Sequence, residues 1–253
     1  MLNHPTIDRL TRMRLPTMAN EFRRQLEGPQ CSPLSFEERL GMLVDSEWAA
    51  RQSNRLQRLL KVSGLRLPEA CLEDLDYSPE RKLERSQVAR LANAVWISEA
   101  KNLVVTGATG CGKTYLVCAF GNLACRNGFK VRYYRVTRLL TDLQIGRGDG
   151  TYNRILRDLK KVDLLILDDW GLSMLDPLAS RDLLEIIEDR YKCRSTLIAA
   201  QLPVSKWHAL FEDSTVADAI LDRLLHNAIR FELSGGTRRI TSADRDGGDA
   251  RMT

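Results

Sequence analysis

A glycine-rich motif of eight residues has the composition and spacing of a site for a nucleoside triphosphate. Residues 107–114 read GATGCGKT, which matches the pattern G-x-x-x-x-G-K-T. Glycines let backbone N–H groups face phosphates closely, and the start of the following helix adds partial positive charge. The motif therefore predicts binding of ATP with Mg²⁺, in which Lys113 contacts the β- and γ-phosphates and the Thr114 hydroxyl binds the metal. The predicted nucleotide contacts are Gly107, Ala108, Thr109, Gly110, Cys111, Gly112, Lys113, Thr114 and Tyr115.

Two adjacent carboxylates follow the apolar run LLIL at residues 164–167. Such a run predicts a buried strand, and ligands of open parallel sheets bind beyond the carboxyl ends of the strands. We expect Asp168 to hold Mg²⁺ and Asp169 to act as the base that activates the attacking water. Two carboxylates at the end of a surface strand are the alternative interpretation of the same pair.

Two further side chains are candidates for the chemistry of hydrolysis. Gln201 follows the apolar segment TLIAA, so it is placed to orient the attacking water or to sense the γ-phosphate; a loop glutamine without a role is the alternative. Arg223 lies in the segment DAILDRLL and is a candidate arginine finger, acting on the nucleotide of a neighbouring subunit. The alternative for Arg223 is a local helix contact with Asp218 or with the face of Ala219.

Positive charge is concentrated in one part of the chain. Residues 126–161 contain ten Lys/Arg and three Asp, whereas residues 67–100 contain four Lys/Arg and seven Asp/Glu. Cations spaced over two helices, with tyrosines at 133, 134 and 152 between them, favour contact with a nucleic-acid backbone; solvated helix faces are the alternative. The candidate DNA contacts are Arg132, Arg135, Arg138, Arg147, Arg154, Arg157, Lys160 and Lys161.

The elements that must position these residues change in type along the chain. Residues 5–61 show helical periodicity, and Ser78-Pro79 predicts a helix from about residue 79 to 97. From about residue 102 short apolar strands alternate with helices, and the segment GRGDG at 146–150 is predicted to be a loop. That alternation predicts an α/β fold with a parallel sheet covered on both faces. The predicted domains are a helical N-terminal domain at 1–76, a nucleotide-binding domain at 77–233 and a disordered tail at 234–253.

The overall composition restricts the class of protein. The chain has 253 residues, of which 43% are hydrophobic and 28% charged, and its net charge is +5. No apolar run approaches the roughly 18 residues that a membrane span requires. The six cysteines lack C-x-x-C spacing, and only three histidines are present, so a metal site of these residues is not expected. We predict a cytoplasmic protein that does not bind membranes.

Several segments together resemble one known family. The motif GATGCGKT, the segments LLILDDWGL, TLIAAQLPVSKWH and DAILDRLLHNAIRFEL, and the N-terminal phrase RLPTMANEF resemble the IstB-like transposition helpers of bacterial insertion elements. These helpers are similar to DnaC-type helicase loaders and belong to the AAA+ ATPases. The resemblance covers about residues 1–240.

The resemblance carries specific implications for fold, activity and partners. It implies an AAA+ P-loop NTPase with a five-stranded parallel sheet flanked by helices and preceded by a small all-α domain. It also implies a homo-oligomer with ATP at subunit interfaces, assembly on duplex DNA and partnership with a cognate transposase. Lys113, Thr114, Asp168 and Asp169 correspond to phosphate, magnesium and acidic residues of the family, and Gln201 and Arg223 to its sensor and finger.

The chain departs from related ATPases at three positions. Ala108 stands where relatives often have proline, and Gln201 where many AAA+ members have asparagine. Asp169 stands where many have glutamate, and a base shortened by one methylene holds water differently. Because a displacement of about 1 Å can cost on the order of 100-fold in rate, we expect slow intrinsic turnover.

Three other functions share parts of this pattern. A replicative helicase loader has the same motor and a different protein partner. A small-molecule P-loop kinase would have a substrate pocket and no affinity for DNA, which the basic segment and Arg223 argue against. An architectural DNA-binding protein would use ATP only to fix its assembly.

Overall fold

The computed structural model describes residues 5–28 and 33–236, which contain ten α-helices and five β-strands; the strands begin only after the fifth helix. By their contacts the residues divide into two units, Met1–Arg58 and Leu59–Thr253. The predicted domain boundary at residues 76 and 77 falls inside the second unit, and the predicted disordered tail lies outside the described residues from 237 onward. Every helix among the described residues is too short or too polar to span a lipid bilayer.

The first unit is helical. It contains α1 (Pro5–Arg12), α2 (Pro16–Glu27) and the larger part of α3 (Phe36–Ser63). Proline at the first position of α2 has no N–H to leave unsatisfied, which suits a helix start. The carboxylate of Glu47 in α3 accepts hydrogen bonds from the backbone N–H groups of Thr17 and Met18, both at 3.0 Å, and so caps α2 from another helix.

The second unit consists of the sheet and the helices that surround it. Its strands are β1 (Leu103–Gly107), β2 (Val131–Arg135), β3 (Leu164–Trp170), β4 (Ser195–Ala200) and β5 (Ile229–Leu233). Its helices are α4 (Arg85–Leu91), α5 (Val95–Ser98), α6 (Lys113–Arg126), α7 (Val136–Asp149), α8 (Tyr152–Lys161), α9 (Pro177–Arg190) and α10 (Ser214–Leu225).

The five strands form one sheet in the order β2-β3-β4-β1-β5, and every neighbouring pair is parallel. The five-stranded parallel sheet expected from the family resemblance is therefore confirmed. In a parallel sheet the carboxyl ends of the strands share one edge, where ligands bind. The glycine-rich loop after β1 and the acid pair near the end of β3 thus lie at the same edge.

Helices cover the two faces of the sheet. On one face, α6 packs so closely that a Cβ on its Gly121 would lie 2.9 Å from Ile166 of β3. On the other face, side chains such as Leu165 and Leu167 of β3 join a buried cluster with α7, α8, α9 and α10. The continuous apolar sequence of β3 follows from this burial on both faces.

Two stretches differ from the secondary structure that their sequences predict. The helix predicted from about residue 79 to 97 is divided into a 3₁₀ turn at Pro79–Arg81, α4 and α5, because Lys82 and Ala94 adopt left-handed backbone conformations. The segment GRGDG at 146–150, predicted to be a loop, continues α7 to Asp149 and ends it at Gly150, where φ is 78°.

Candidate active site

The glycine-rich loop joins β1 to α6, which is the arrangement that its sequence predicts. Gly107 has φ 153° and Gly112 has φ 93°, conformations that side chains rarely adopt. A Cβ on Gly107 would collide with the carbonyl oxygen of Leu233, and one on Gly112 would lie 2.7 Å from the guanidinium of Arg81. The backbone contact with Leu233 excludes a side chain at Gly107, whereas Gly112 is required mainly by its backbone conformation.

Lys113 begins α6 and lies folded over the loop that precedes it. Its ammonium group donates hydrogen bonds to the carbonyl oxygens of Gly107 and Ala108, both at 2.8 Å. The positive charge is thereby held above the backbone that is expected to surround the phosphates. A triphosphate would offer this ammonium charged acceptors, which form stronger hydrogen bonds than neutral carbonyls.

Thr114 and Asp168 meet across the edge of the sheet. The Thr114 hydroxyl donates to Oδ2 of Asp168 at 2.9 Å, and Asp168 is 1% exposed. A hydroxyl oxygen beside a carboxylate is the kind of hard-oxygen donor set that Mg²⁺ prefers. These two side chains, separated by 54 positions in sequence, therefore fit a magnesium site.

A third side chain, which the sequence does not single out for this site, also binds Asp168. The hydroxyl of Tyr133 in β2 donates to Oδ2 of Asp168 at 2.7 Å. Burial raises the pKa of Tyr133 far above its ordinary value, and the negative charge of Asp168 adds to the effect. Tyr133 was grouped by sequence with the basic segment, but it lies at the acid pair.

Asp169 has an unusual backbone and a cationic neighbour. Its φ is 59°, and the ladder between β3 and β4 shifts register between Leu167 and Trp170. Non-glycine residues with positive φ are uncommon and often mark functional positions. Oδ2 of Asp169 lies 3.5 Å from Nε of Arg135, so a residue predicted to contact DNA forms an ion pair with the predicted base.

Gln201 follows β4, and its side chain reaches the phosphate loop. Its Oε1 accepts a hydrogen bond from the hydroxyl of Thr109 at 3.0 Å. The contact joins two residues 92 positions apart. The predicted sensor position therefore lies beside the phosphate loop.

One cavity of about 670 Å³ contains most of the predicted site, a size in the usual range for ligand pockets. Its lining includes Lys113, Thr114, Asp169 and Gln201. The segment at 66–81, which precedes the sheet, also lines the cavity. The members of the lining from that segment are Arg66, Leu67, Asp74, Leu75, Asp76 and Arg81.

Arg81 is a site residue that sequence reasoning missed. Its side chain is 4% exposed and donates to the carbonyl oxygens of Asp76 at 2.7 Å and Cys111 at 3.3 Å. Its own carbonyl accepts from the N–H of Ser234. Arg81 thus connects the segment before the sheet, the phosphate loop and the chain after β5. Its position after a proline gave no signal for this role.

Arg223 lies near the amino ends of the strands, at the end of the sheet opposite its own phosphate loop. Asn102, which precedes β1, donates to the carbonyl oxygen of Arg223 at 3.2 Å, whereas the phosphate loop follows β1 at its other end. The guanidinium of Arg223 donates hydrogen bonds to the carboxylate of Glu188 at 3.0 Å and to the carbonyl oxygen of Ala219 at 2.9 Å. The local contacts are therefore with Glu188 and Ala219, and Asp218 instead lies 3.4 Å from His208.

The structure separates the eight candidate DNA contacts into different environments. Arg135 lines the nucleotide cavity, and Arg132 donates to the carbonyl oxygen of Val62. Three others form ion pairs: Arg138 with Asp142, Arg147 with Asp182, and Lys160 with Asp189.

Arg147 also packs over the ring of Tyr152, whose hydroxyl donates to Asp182 at 2.8 Å. This contact ties α7 and α8 to α9. The remaining three cations, Arg154, Arg157 and Lys161, are exposed on α8, and no ion pair joins Arg157 or Lys161 to another described residue.

The sheet order, the phosphate loop and the acid pair define an AAA+ P-loop ATPase. Solved structures share this fold. The crystal structure of DnaI matches with a TM-score of 0.56 at 24% identity, over 66% of this chain and 93% of that one. The DnaC helicase loader matches with a TM-score of 0.54 at 21% identity, over 66% and 97%. AMPPCP-bound DnaA from Aquifex aeolicus matches with a TM-score of 0.54 at 22% identity, over 66% and 50%.

The chain belongs to the family of IstB-like ATP-binding proteins, whose sequence model matches residues 8–245. It is 48% identical to an insertion-sequence ATP-binding protein of Sinorhizobium fredii, over 94% of this chain and 97% of that protein. It is 47% identical to the ATP-binding protein of insertion sequence IS1162 of Pseudomonas fluorescens, over 81% and 89%. The family expected from the sequence is thus confirmed, and ATP is its nucleotide.

Proposed function

We propose that this chain hydrolyses ATP with Mg²⁺ and uses ATP to control its assembly on duplex DNA during transposition. The observation that carries the proposal is the hydrogen bond from Thr114, which lines the cavity together with Lys113 and Gln201, to the buried carboxylate of Asp168. Lys113, Thr114 and the loop N–H groups would hold the phosphates. Mg²⁺, when bound, would neutralise charge on the phosphate oxygens.

Hydrolysis in this proposal is carried by Asp169 and Gln201. Asp169 would accept a proton from the attacking water, and Gln201 would hold that water near the γ-phosphate. The ion pair with Arg135 occupies one oxygen of Asp169, and the aspartate is shorter than the glutamate common in related ATPases. Both features support a slow basal rate.

A second copy of the chain would complete the site. Arg223 lies at the far end of the sheet from its own phosphate loop, which supports a role on the nucleotide of a neighbouring subunit rather than on its own. A guanidinium there would stabilise charge that develops in the transition state. The proposal therefore places ATP at the interface of a homo-oligomer.

Contact with DNA is assigned to the exposed cations of α8, which are Arg154, Arg157 and Lys161. They occur along one helix at intervals of three and four residues, so their side chains share a face. A row of cations suits contact with successive phosphates without reading the bases. The ion-paired arginines of the basic segment are less available for this role.

The partner proposed for the DNA-bound assembly is a transposase. The insertion-sequence origin of the relatives described above supports this choice, because such an element must bring a transposase to its target DNA. The alternative is a replicative helicase loader, which the fold of DnaI and DnaC favours. The two functions predict different substrates, duplex DNA for the helper and a helicase for the loader.

Sedimentation with DNA tests the proposal. The full chain is centrifuged with a labelled duplex or a single strand of the same length, with and without ATP and Mg²⁺, at two salt concentrations. An ATP-dependent, salt-sensitive large complex on the duplex supports the proposal. If the protein sediments as a small particle and does not bind the duplex, the proposal is contradicted. Binding to a replicative helicase under the same conditions would favour the helicase-loader alternative.

A further inference from the structure

Asp168 receives three hydrogen bonds that fix its carboxylate from different directions. Its Oδ1 accepts from the backbone N–H of Asp169 at 2.8 Å. Its Oδ2 accepts from Thr114 at 2.9 Å and from Tyr133 at 2.7 Å. The donors come from the same strand, from the phosphate loop helix and from the neighbouring strand, so rotation of this carboxylate would break at least one of the bonds.

Strand geometry explains why Tyr133 is the residue of β2 that reaches this acid. β2 and β3 are parallel, and Arg135 is the residue opposite Asp168. Side chains alternate along a strand, so Tyr133 shares a face with Arg135 and Asp168 while Tyr134 points to the other face. Tyr133 stands two residues before the end of the strand, from where its long side chain extends diagonally to Asp168.

Burial makes the hydrogen bond from Tyr133 to Asp168 important for the stability of the carboxylate. Asp168 is 1% exposed, and a buried carboxylate is costly unless hydrogen bonds stabilise it. Thr114 is expected to bind the metal as well as Asp168. The N–H of Asp169 belongs to the residue next to Asp168 in the same strand. Of the three donors, Tyr133 alone is neither part of the expected nucleotide contacts nor adjacent to Asp168 in sequence.

We propose that Tyr133 is a positioning residue of the magnesium site, which acts by holding Asp168 in the orientation that the metal requires. The inference rests on the proposed magnesium role of Asp168. Tyr133 then contributes to the effect of Mg²⁺ on ATP binding and has little influence on metal-free nucleotide affinity. A residue that merely filled the core would influence both equally.

The test measures ATP affinity in EDTA and in excess Mg²⁺ by titration with a fluorescent ATP analogue. The variants are Tyr133→Phe, which removes only the hydroxyl, Asp168→Asn, and Tyr134→Phe as a matched control on the same strand. We expect Tyr133→Phe to keep the EDTA affinity and to reduce the tightening by Mg²⁺ about tenfold. Asp168→Asn should lose the tightening, and Tyr134→Phe should retain it.

The other outcomes each contradict a different claim. Wild-type magnesium dependence in Tyr133→Phe, with the dependence lost in Asp168→Asn, would overturn the role of Tyr133 alone. Equal weakening of Tyr133→Phe in EDTA and in Mg²⁺ would make Tyr133 a structural residue and would also overturn the inference. Unchanged magnesium dependence in Asp168→Asn would overturn the magnesium role and this inference with it.

Discussion

Nε of Arg135 lies 3.5 Å from Oδ2 of Asp169. This ion pair joins the end of β2 to the acid that is predicted to activate water. Arg135 is about half exposed, with 47% of its side chain accessible, and Asp169 is 26% exposed. The pair is therefore a partly screened contact at the rim of the nucleotide cavity. Its position means that one cation of the basic segment belongs to the ATPase site.

Replacing Arg135 should raise the basal ATPase rate. In Arg135→Gln, Asp169 loses the cation that occupies one of its oxygens and becomes free to accept a proton from water. An exposed ion pair is worth about 0.2–1 kcal/mol, which corresponds to an increase of at most about fivefold. The rate without DNA is measured by phosphate release.

The matched control for this measurement is Arg126→Gln. Arg126 is also exposed and paired, with Glu73 at 3.1 Å, so the change in charge is the same while the acid pair is untouched. A basal rate in Arg135→Gln that equals or falls below that of Arg126→Gln would show that the ion pair does not restrain Asp169.

Arg81→Lys should weaken ATP and ADP binding to a similar extent, by about tenfold. Lysine keeps the charge, but its single ammonium lacks the fork that bonds both Asp76 and Cys111. Because the contact is with the loop backbone, the loss should not depend on the γ-phosphate. Calorimetric titration with each nucleotide measures it, and exposed Arg85→Lys on α4 is the control. A loss confined to ATP would place Arg81 at the γ-phosphate instead.

Sequence predicts those parts of the site whose residues lie in one contiguous motif, and it misses those that only the fold brings together. The phosphate loop and the acid of β3 were predicted because their motifs and flanking strands are contiguous, and the structure places them at one edge of the sheet. Tyr133 and Arg81 were not recognised. Their contacts depend on strand register and on a turn that carries the chain beside the phosphate loop, neither of which leaves a local pattern in the sequence.

The fold shows the same limit at the glycines of α7. Glycine-rich sequence usually indicates a loop, but Gly146 lies within the helix, where a Cβ would be 3.0 Å from the backbone nitrogen of Tyr152. A side chain here would have to displace the start of α8 by a few tenths of an ångström, so the close packing of α7 against α8 favours glycine. Sequence periodicity cannot distinguish a glycine that permits a turn from one that permits close packing.

The exposed cations of α8 should determine the salt dependence of DNA binding. Each phosphate contact contributes about 0.9 to the slope of log affinity against log salt on duplex DNA. Replacing Arg154, Arg157 and Lys161 by glutamine should therefore lower the slope by up to about 2.7. Fluorescence anisotropy with a labelled duplex over a salt series measures this slope.

Lys160 provides the comparison within the same helix. Its ammonium is paired with Asp189 at 2.7 Å, so Lys160→Gln should change the slope by much less than any single change among the three exposed cations. If the triple variant kept the wild-type slope, the assignment of DNA contact to α8 would be wrong.

The most direct test of the central claim, that neighbouring copies share each ATPase site, is a mixing experiment. Arg223→Ala lacks the proposed finger and Asp169→Asn lacks the proposed base, so each alone should hydrolyse ATP poorly on duplex DNA. The control is Arg194→Ala, an exposed arginine paired with Asp163 at 2.9 Å, which should behave as wild type. In an equal mixture, an intact Asp169 next to an intact Arg223 occurs at about a quarter of head-to-tail interfaces. We predict recovery to about a quarter of the wild-type DNA-stimulated rate. A mixture no more active than the sum of its parts would contradict the shared site.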